Sequence, residues 1–274
     1  MIDAIIKHFF VRTLHKKRIC VLCYHSVSSQ QRSVEPQRSL NIDAFEEHMR
    51  ILVGYGVNFI SASQLEQHYQ HGAALPSSPV LITVDDGLRN YSTTMLPVFE
   101  EYQIPSVLFI TTDFVDIQTP SPFVRWVEQS TQDVILPVSV DHDYRMLTTH
   151  EIVELAKHPL VEIGAHTRTH PYLSRLEHAE ALNEVLNSKS RLEEILSRDI
   201  RYFAYPHGDY TEGIAQAIKP YFSLIFTINR GSNGSKSSPH KLRRDSLQGD
   251  LNQLRYHFLG IYDMIRLLDP IRGK

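Results

Sequence analysis

The chain has 274 residues, of which 42% are hydrophobic and 22% are charged. This length suits one large domain, and the composition excludes a wholly disordered chain because enough apolar residues are present to fill a core. Its 28 basic and 31 acidic residues give a formal net charge of -3, so the chain lacks the broad basic surface of a nucleic-acid-binding protein. No run approaches the ~20 apolar residues that span a bilayer.

The first segment, residues 1–18, interleaves apolar and basic residues. This pattern predicts an amphipathic helix, which either packs against the domain or makes peripheral contact with a membrane. The segment lacks the continuous apolar stretch and cleavage site of a signal peptide, so we expect a cytoplasmic protein, with the inner-membrane surface as an alternative location. Residues 19–274 are expected to form a single domain that ends in a helical extension at 251–268.

The two cysteines, Cys20 and Cys23, lie in one strand-like apolar run. Residues three apart in a strand face opposite ways, so a disulfide between them is geometrically unfavourable. A redox motif or half of a zinc site is the alternative, but no second cysteine pair exists and no helix start follows. We therefore expect two reduced, buried thiols.

Short apolar runs rich in β-branched residues predict six strands. The runs lie at 19–24, 80–84, 106–111, 161–165, 202–205 and 222–228. Helical periodicity lies between them, with apolar faces formed by Phe45, Met49, Leu52 and by Leu182, Val185, Leu186, Leu192, Ile195, Leu196. Capping-box spacings at Thr148 with Glu151 and at Asp209 with Glu212 predict two helix starts.

Strands that alternate with helices imply parallel β/α units, arranged either as a barrel or as a doubly wound sheet. Both architectures bind ligands where the strands end at their carboxyl side. Polar residues follow four of the predicted strands at that side: His25, then Asp85 and Asp86, then His166, then His207. We therefore expect these side chains to meet at one rim.

Asp85 and Asp86 are adjacent carboxylates, whose mutual repulsion at a strand end is most simply relieved by a cation. Taken alone, the pair with Gly87 would more often be an ordinary turn. His166 and His170 share a face if the segment between them is a helical turn, although such a pair alone is more often incidental. One aspartate and two histidines would give a three-ligand site that keeps an open position, and the other aspartate could act as a base.

Three motifs in order resemble those of the polysaccharide deacetylases, the NodB-homology domains of carbohydrate esterase family 4. The first is Thr83-Val84-Asp85-Asp86-Gly87, with valine where the family has phenylalanine, and the second is His166-Thr167-Arg168-Thr169-His170. The third runs from Arg201 to the Pro206-His207-Gly208 turn, and Tyr24-His25-Ser26-Val27 resembles the opening strand of a bacterial subgroup. The resemblance covers about residues 19–230.

This resemblance implies a distorted (β/α)7 barrel, similar to a TIM barrel. It implies Asp85 as general base, Arg201 as the group that orients Asp85, and a divalent metal held by Asp86, His166 and His170. The metal would be zinc, with nickel and cobalt as alternatives. The implied activity is that of a hydrolase of non-peptide carbon–nitrogen bonds, which removes N-acetyl groups from an amino-sugar polysaccharide or its lipid-linked precursor.

The substrate contacts and the proton donor are less defined. By position, His25, Tyr205 and His207 are expected to contact the N-acetylated glycan. The late Leu-x-His and Asp-x-x-Asp-Trp motifs of many family members are absent, and Arg243 or Arg244 stands where the histidine would be expected. His240, His25 and a reprotonated Asp85 are the three candidates for protonating the leaving amine.

Two other functions remain open at this point. One is a catalytically weak relative that binds sugar, which acetate-release assays with an Asp85→Asn control would reveal. The other is a different barrel metal hydrolase, such as a phosphoesterase, whose sites often use two metals. A count of metal ions per chain separates that class from a deacetylase.

Overall fold

A computed structural model of the protein describes residues 18–28, 39–117 and 145–247. The predicted N-terminal helix, apart from residue 18, and the predicted C-terminal helical extension lie outside the described residues. Within the described ranges, no helix combines the length and apolar character needed to cross a membrane.

Six strands pair in parallel in the order in which they occur along the chain, with two short strands beside them. The six are β1 (Cys20–Tyr24), β5 (Pro79–Val84), β6 (Ser106–Ile110), β7 (Val161–Ala165), β8 (Tyr202–Ala204) and β9 (Leu224–Phe226). The short strands β4 (Asn58–Phe59) and β10 (Asp245–Ser246) pair with β5 and β1, and β2 (Ser26–Ser28) pairs with β3 (Ser39–Asn41) in a separate ribbon. The six strands predicted from the sequence are all present, whereas the four short ones were not predicted.

The segment 242–246, which we call the seam, joins the two edges of this sheet. Leu242 forms a parallel bridge with Phe226 at the end of β9, and its backbone N–H donates to the carbonyl oxygen of Ile225 at 2.9 Å. Three residues later the seam becomes β10 and pairs with β1. The sheet is therefore curled into the distorted β/α barrel expected from the sequence.

The helices that connect the strands are α1 (Ile42–Gly54), α2 (Ala62–His71), α3 (Leu96–Tyr102), α4 (Thr149–Leu155), α5 (His178–Leu196) and α6 (Glu212–Ile218). The predicted capping box at the start of α4 is confirmed, because Thr148 and Glu151 cap each other. The predicted cap at Asp209 is wrong. Thr211 caps α6, since the Asp209 carboxylate instead accepts hydrogen bonds from the backbone N–H and hydroxyl of Ser174 at 2.7 and 2.9 Å.

Alternate residues of the strands pack into two separate apolar clusters, one inside the barrel and one between the strands and the helices. The inner cluster includes the first residues of α2, which closes the amino end of the barrel. There the inward-facing carboxylate of Glu162 accepts hydrogen bonds from the backbone N–H groups of Ala62 and Ser63 at 2.6 and 3.0 Å. This carboxylate satisfies the free donors of the helix start and complements its dipole.

Gly164 on β7 lies where the barrel interior leaves no space for a side chain. A Cβ at this position would lie 2.4 Å from a ring carbon of Phe109 and 3.0 Å from the carbonyl oxygen of Tyr202. The glycine lets Phe109 fill the interior at the level just below the mouth, next to the inward-facing His166. The interior packing therefore supports the floor of the polar mouth.

We expect Gly164→Ala to destabilise the protein by about 1–3 kcal/mol, because overpacking forces the Phe109 ring or the backbone to move. Urea denaturation followed by circular dichroism measures the change. The double variant Gly164→Ala with Phe109→Leu should recover part of the loss, and equal stability of the wild type and the single variant would contradict the close packing described here.

Candidate active site

The two adjacent carboxylates after β5 point in different directions. Asp86 and Gly87 both have positive φ angles, of 81° and 80°, so the chain turns sharply as it leaves the strand. Positive φ is costly for a residue other than glycine and concentrates at functional sites. As a result, Asp85 faces Arg244 in the barrel interior and Asp86 faces the two histidines.

Asp85 forms a bidentate ion pair with Arg244. The two terminal guanidinium nitrogens donate to the two carboxylate oxygens at 2.7 and 2.8 Å. Asp85 is 2% exposed and Arg244 is 0% exposed, so the pair is shielded from water. Arg244 also donates to Thr83 Oγ1 at 3.1 Å and to the carbonyl oxygen of Thr227 at 2.9 Å, which completes its hydrogen bonding from both sides.

Arg201 does not lie beside Asp85, and the expectation that it orients this carboxylate is corrected here. Its guanidinium instead lies 2.8 Å from the buried carboxylate of Glu66 on α2. The physical reason is strand direction: Arg201 directly precedes β8 and Asp85 directly follows β5, so in a parallel barrel they lie at opposite ends. Arg244 on the seam occupies the place expected for Arg201.

Asp86, His166 and His170 converge at the mouth, with potential ligand atoms that all lie within 4.8 Å of one another. Asp86 Oδ1 lies 3.5 Å from His166 Nε2 and 3.3 Å from His170 Nε2. Within the described part of the chain, this buried oxygen has no well-aligned hydrogen-bond donor. One carboxylate and two imidazoles are a donor set that suits zinc, nickel or cobalt and leaves a coordination position open.

The ring of His166 is fixed by the strand next to it. Its Nδ1 lies 2.8 Å from the carbonyl oxygen of Ala204, the last residue of β8. This contact requires a proton on Nδ1, so Nε2 is the ring nitrogen that faces Asp86. Such an outer hydrogen bond is what orients a metal-binding imidazole.

The segment between the two histidines is a loop, not the helical turn on which their common face was expected to depend. Thr167 and His170 have φ angles of 62° and 60°, which no helix contains. The Glu184 carboxylate of α5 holds the loop by accepting from the backbone N–H groups of Arg168 and Thr169 at 3.0 and 2.9 Å. The two imidazoles therefore meet through a constrained loop.

Both carboxylates are held ionised. Burial alone would raise the pKa of Asp85, but the charges of Arg244 and His166 outweigh it and leave that pKa below its usual value. Burial opposes ionisation of Asp86 as well, yet the neighbouring imidazoles of His166 and His170 hold its pKa well below the usual range. At neutral pH both carboxylates at the mouth therefore carry a negative charge.

His25 lies close to Asp85 and Cys23. A ring nitrogen of His25, the Cys23 sulfur and an Asp85 oxygen all lie within 4.8 Å of one another. Cys20 and Cys23 are both buried and reduced, as expected.

The ring of His240 contacts the carbonyl oxygen of Phe222 at 3.0 Å, near the amino end of β9 and away from the mouth. The structure therefore does not bring His240 to Asp85, contrary to its role as a candidate acid.

Two aromatic rings form one wall of the mouth beside the histidines. The His207 ring stacks on Tyr172 with centroids 3.9 Å apart and an angle of 8°, and it meets the His170 ring edge-on at 4.4 Å. Tyr172 is 39% exposed, so this wall is accessible. The expected contact residue Tyr205 faces away: its ring stacks on Tyr210, and its backbone N–H donates to the carbonyl oxygen of Phe226.

Sequence reasoning missed Arg244 as the partner of Asp85 and missed Tyr172 in the wall. A signal for Arg244 was present, because Leu242 and Arg244 alternate in a short strand-like segment and so share one face. An apolar Leu242 predicts that this face is buried, which would bring Arg244 inward. Tyr172 carried no comparable signal, since its position depends on the loop after His170.

A parallel barrel with carboxylates and imidazoles gathered at the carboxyl ends of its strands has the arrangement of an enzyme. The sequence model of the family described as polysaccharide deacetylase matches residues 72–221, more than half of the chain. This chain belongs to the polysaccharide deacetylase family.

The chain is also similar to poly-beta-1,6-N-acetyl-D-glucosamine N-deacetylase of Escherichia coli K12. The two are 27% identical over 129 residues, which are 47% of this chain and 18% of the relative. The protein of the same name from Escherichia coli O157:H7 matches equally. The chain thus aligns with only a small part of the length of these curated relatives.

Solved structures confirm the fold. The deacetylase PplD of Streptococcus pyogenes, in complex with acetate, matches with a TM-score of 0.71 at 18% identity over 88% of this chain and 98% of that one. IcaB from Ammonifex degensii matches with a TM-score of 0.70 at 22% identity over 89% of this chain and 97% of that one. The predicted distorted barrel is confirmed.

We expect Arg244→Met to lower the free energy of unfolding by about 3–5 kcal/mol, because it leaves the Asp85 carboxylate buried without its partner. Arg201→Met should cost only about 1 kcal/mol, since that side chain is 44% exposed and Glu66 keeps a hydrogen bond from Tyr202. Urea denaturation of the metal-free variants measures both. Equal losses in the two variants would show that Arg244 is not the principal partner of Asp85.

Proposed function

We propose that this protein removes N-acetyl groups from an amino-sugar glycan, with the help of a divalent cation held by Asp86, His166 and His170. The observation that carries the proposal is the pairing of this three-ligand cluster with a separate, ionised carboxylate, Asp85, within 4.0 Å of His166 Nε2. Membership of the polysaccharide deacetylase family supports it. The name of the Escherichia coli relative supports an N-acetylated glucosamine polymer as the substrate class. The lipid-linked precursor of such a polymer is the alternative substrate.

A divalent cation at this cluster, most suitably zinc, polarises a carbonyl group and increases the acidity of water when it is bound. In this proposal Asp85 takes the proton from the attacking water. Arg244 holds the Asp85 carboxylate in one orientation through two hydrogen bonds. Because the pKa of Asp85 is lowered, the carboxylate is ionised at neutral pH and can accept this proton.

The bond between the acetyl carbon and the sugar nitrogen then breaks, and the leaving amine needs a proton. We assign this role to His25, whose ring nitrogen lies within 4.8 Å of the Asp85 carboxylate at the same rim. His240 contacts Phe222 near the opposite end of β9, so it is poorly placed for this step. The remaining alternative is that Asp85 returns the proton that it accepted.

The wall formed by Tyr172 and His207 offers the sugar a rigid surface. Both rings are held by stacking, and Arg175 covers the other face of Tyr172 at 4.1 Å from the ring centre. Since both faces of Tyr172 are covered, its exposed edge is the part available to a glycan. We therefore assign to this wall the positioning of the sugar next to His170.

Asp85→Asn should lower the rate of acetate release from N-acetylated glucosamine oligomers by about 10²–10⁴-fold, the usual contribution of a general base. Binding of the first equivalent of zinc, measured by competition with a chromogenic chelator, should change little because Asp86 and both histidines remain. Asp113→Asn is the matched control, because that carboxylate pairs with Arg168 at the surface. If the wild type and Asp85→Asn release acetate at the same low rate, the protein is not a deacetylase.

His25→Gln should lower acetate release from the N-acetylated sugar by about 100-fold or more, whereas release from 4-nitrophenyl acetate should change little, because that leaving group departs without a proton. His240→Gln should leave both rates unchanged. A similar, small effect of His25→Gln on the two substrates would instead favour reprotonation by Asp85.

A further inference from the structure

We propose that Cys23, His25 and Asp85 form a second zinc site, of lower affinity than the first, whose occupation inhibits the enzyme. The inference rests on the proposed function, because two of these three residues are the base and the proton donor assigned above. It differs from that function in one respect: the second ion is an inhibitor and takes no part in the reaction.

The positions of the three side chains follow from two neighbouring strands. Cys23 lies on β1, which pairs with β5 so that Cys23 is opposite Thr83. Cys23 and Asp85 both point into the barrel, and His25 follows β1 at the mouth. The three potential ligand atoms all lie within 4.8 Å of one another.

The separation of the sulfur and oxygen atoms suits a tetrahedral zinc ion. Cys23 Sγ lies 3.5 Å from Asp85 Oδ2. Zinc–sulfur and zinc–oxygen bonds of about 2.3 and 2.0 Å at a tetrahedral angle place the two ligand atoms about 3.5 Å apart. A thiolate, an imidazole and a carboxylate together favour zinc or cobalt over magnesium and calcium.

Two features make this site weaker than the first. Zinc binding requires the Cys23 thiol, which is fully buried, to release its proton to the solvent as the zinc–sulfur bond forms. The guanidinium of Arg244 also lies against the Asp85 carboxylate, so its positive charge would repel a zinc ion bound there. Neither cost applies to Asp86, His166 and His170, so the first zinc ion is expected to fill that cluster.

Inhibition follows from the shared residues. An ion bound to both residues prevents Asp85 from accepting a proton and His25 from donating one. Asp85 Oδ2 also lies 4.0 Å from His166 Nε2, so the second ion would sit directly beside the first. In a two-metal phosphoesterase, by contrast, the second ion would raise the activity.

Cobalt titration of the metal-free protein tests the site without any need for turnover. The first equivalent should give only the visible bands of nitrogen and oxygen ligation, and the second should add a thiolate-to-cobalt charge-transfer band in the near ultraviolet. Cys23→Ala should lose this band, while the matched control Cys20→Ala should keep it. A band that appears with the first equivalent, or never appears in the wild type, would overturn the proposal.

Zinc inhibition provides the second readout, with each protein compared with its own rate at one equivalent. At free zinc about ten times the dissociation constant of the second site, mass action leaves about one tenth of the wild-type and Cys20→Ala activity. Cys23→Ala should keep its rate, and equal inhibition of all three proteins would exclude this site. If no protein releases acetate, the proposed function fails, and the cobalt band still decides whether the second site exists.

A second variant covers the case in which Cys23→Ala does not fold. His25→Gln keeps the thiol but removes the imidazole, and it should weaken binding of the second cobalt ion by more than about 10-fold. Unchanged affinity for the second ion in His25→Gln would count against the proposed ligand set.

Discussion

Arg244 and Asp85 face each other inside the barrel, and each of the two carboxylate oxygens accepts from a different guanidinium nitrogen. A buried ion pair is tolerated only when its geometry is good and its remaining donors are satisfied, and Thr83 and Thr227 supply the further acceptors here. The charge of Arg244 neutralises that of Asp85, which is one of the two adjacent aspartates at the mouth. Asp86 is thereby left with the two imidazoles of His166 and His170 as its neighbours.

Much of the architecture could be predicted from local patterns. The apolar runs gave the main strands, and the rule that polar groups gather at the carboxyl ends of parallel strands brought Asp85, Asp86, His25 and His166 to one rim. The same rule also shows why Arg201 was misplaced, since it precedes its strand and Asp85 follows its own. Arg244 lies 159 residues from Asp85, and local periodicity carries no information about such a distant partner.

The loops were less predictable for a different reason. Asp86, Thr167, His170 and His207 all have φ angles between 56° and 81°, a conformation that their own preferences disfavour. Tertiary contacts impose it, such as those of Glu184 with the loop that carries the histidines. The sequence therefore predicted that Asp86, His166 and His170 meet at the mouth but not the backbone that makes them meet.

The seam has both a structural and a chemical role. It is the last described strand along the chain, and it connects β9 to β1 while it carries Arg244 to the residue after β5. Until this segment has been synthesised and docked, the nascent barrel has an open edge and its central carboxylate has no guanidinium. Closure of the barrel by the seam and formation of the Asp85–Arg244 ion pair therefore depend on the same five residues.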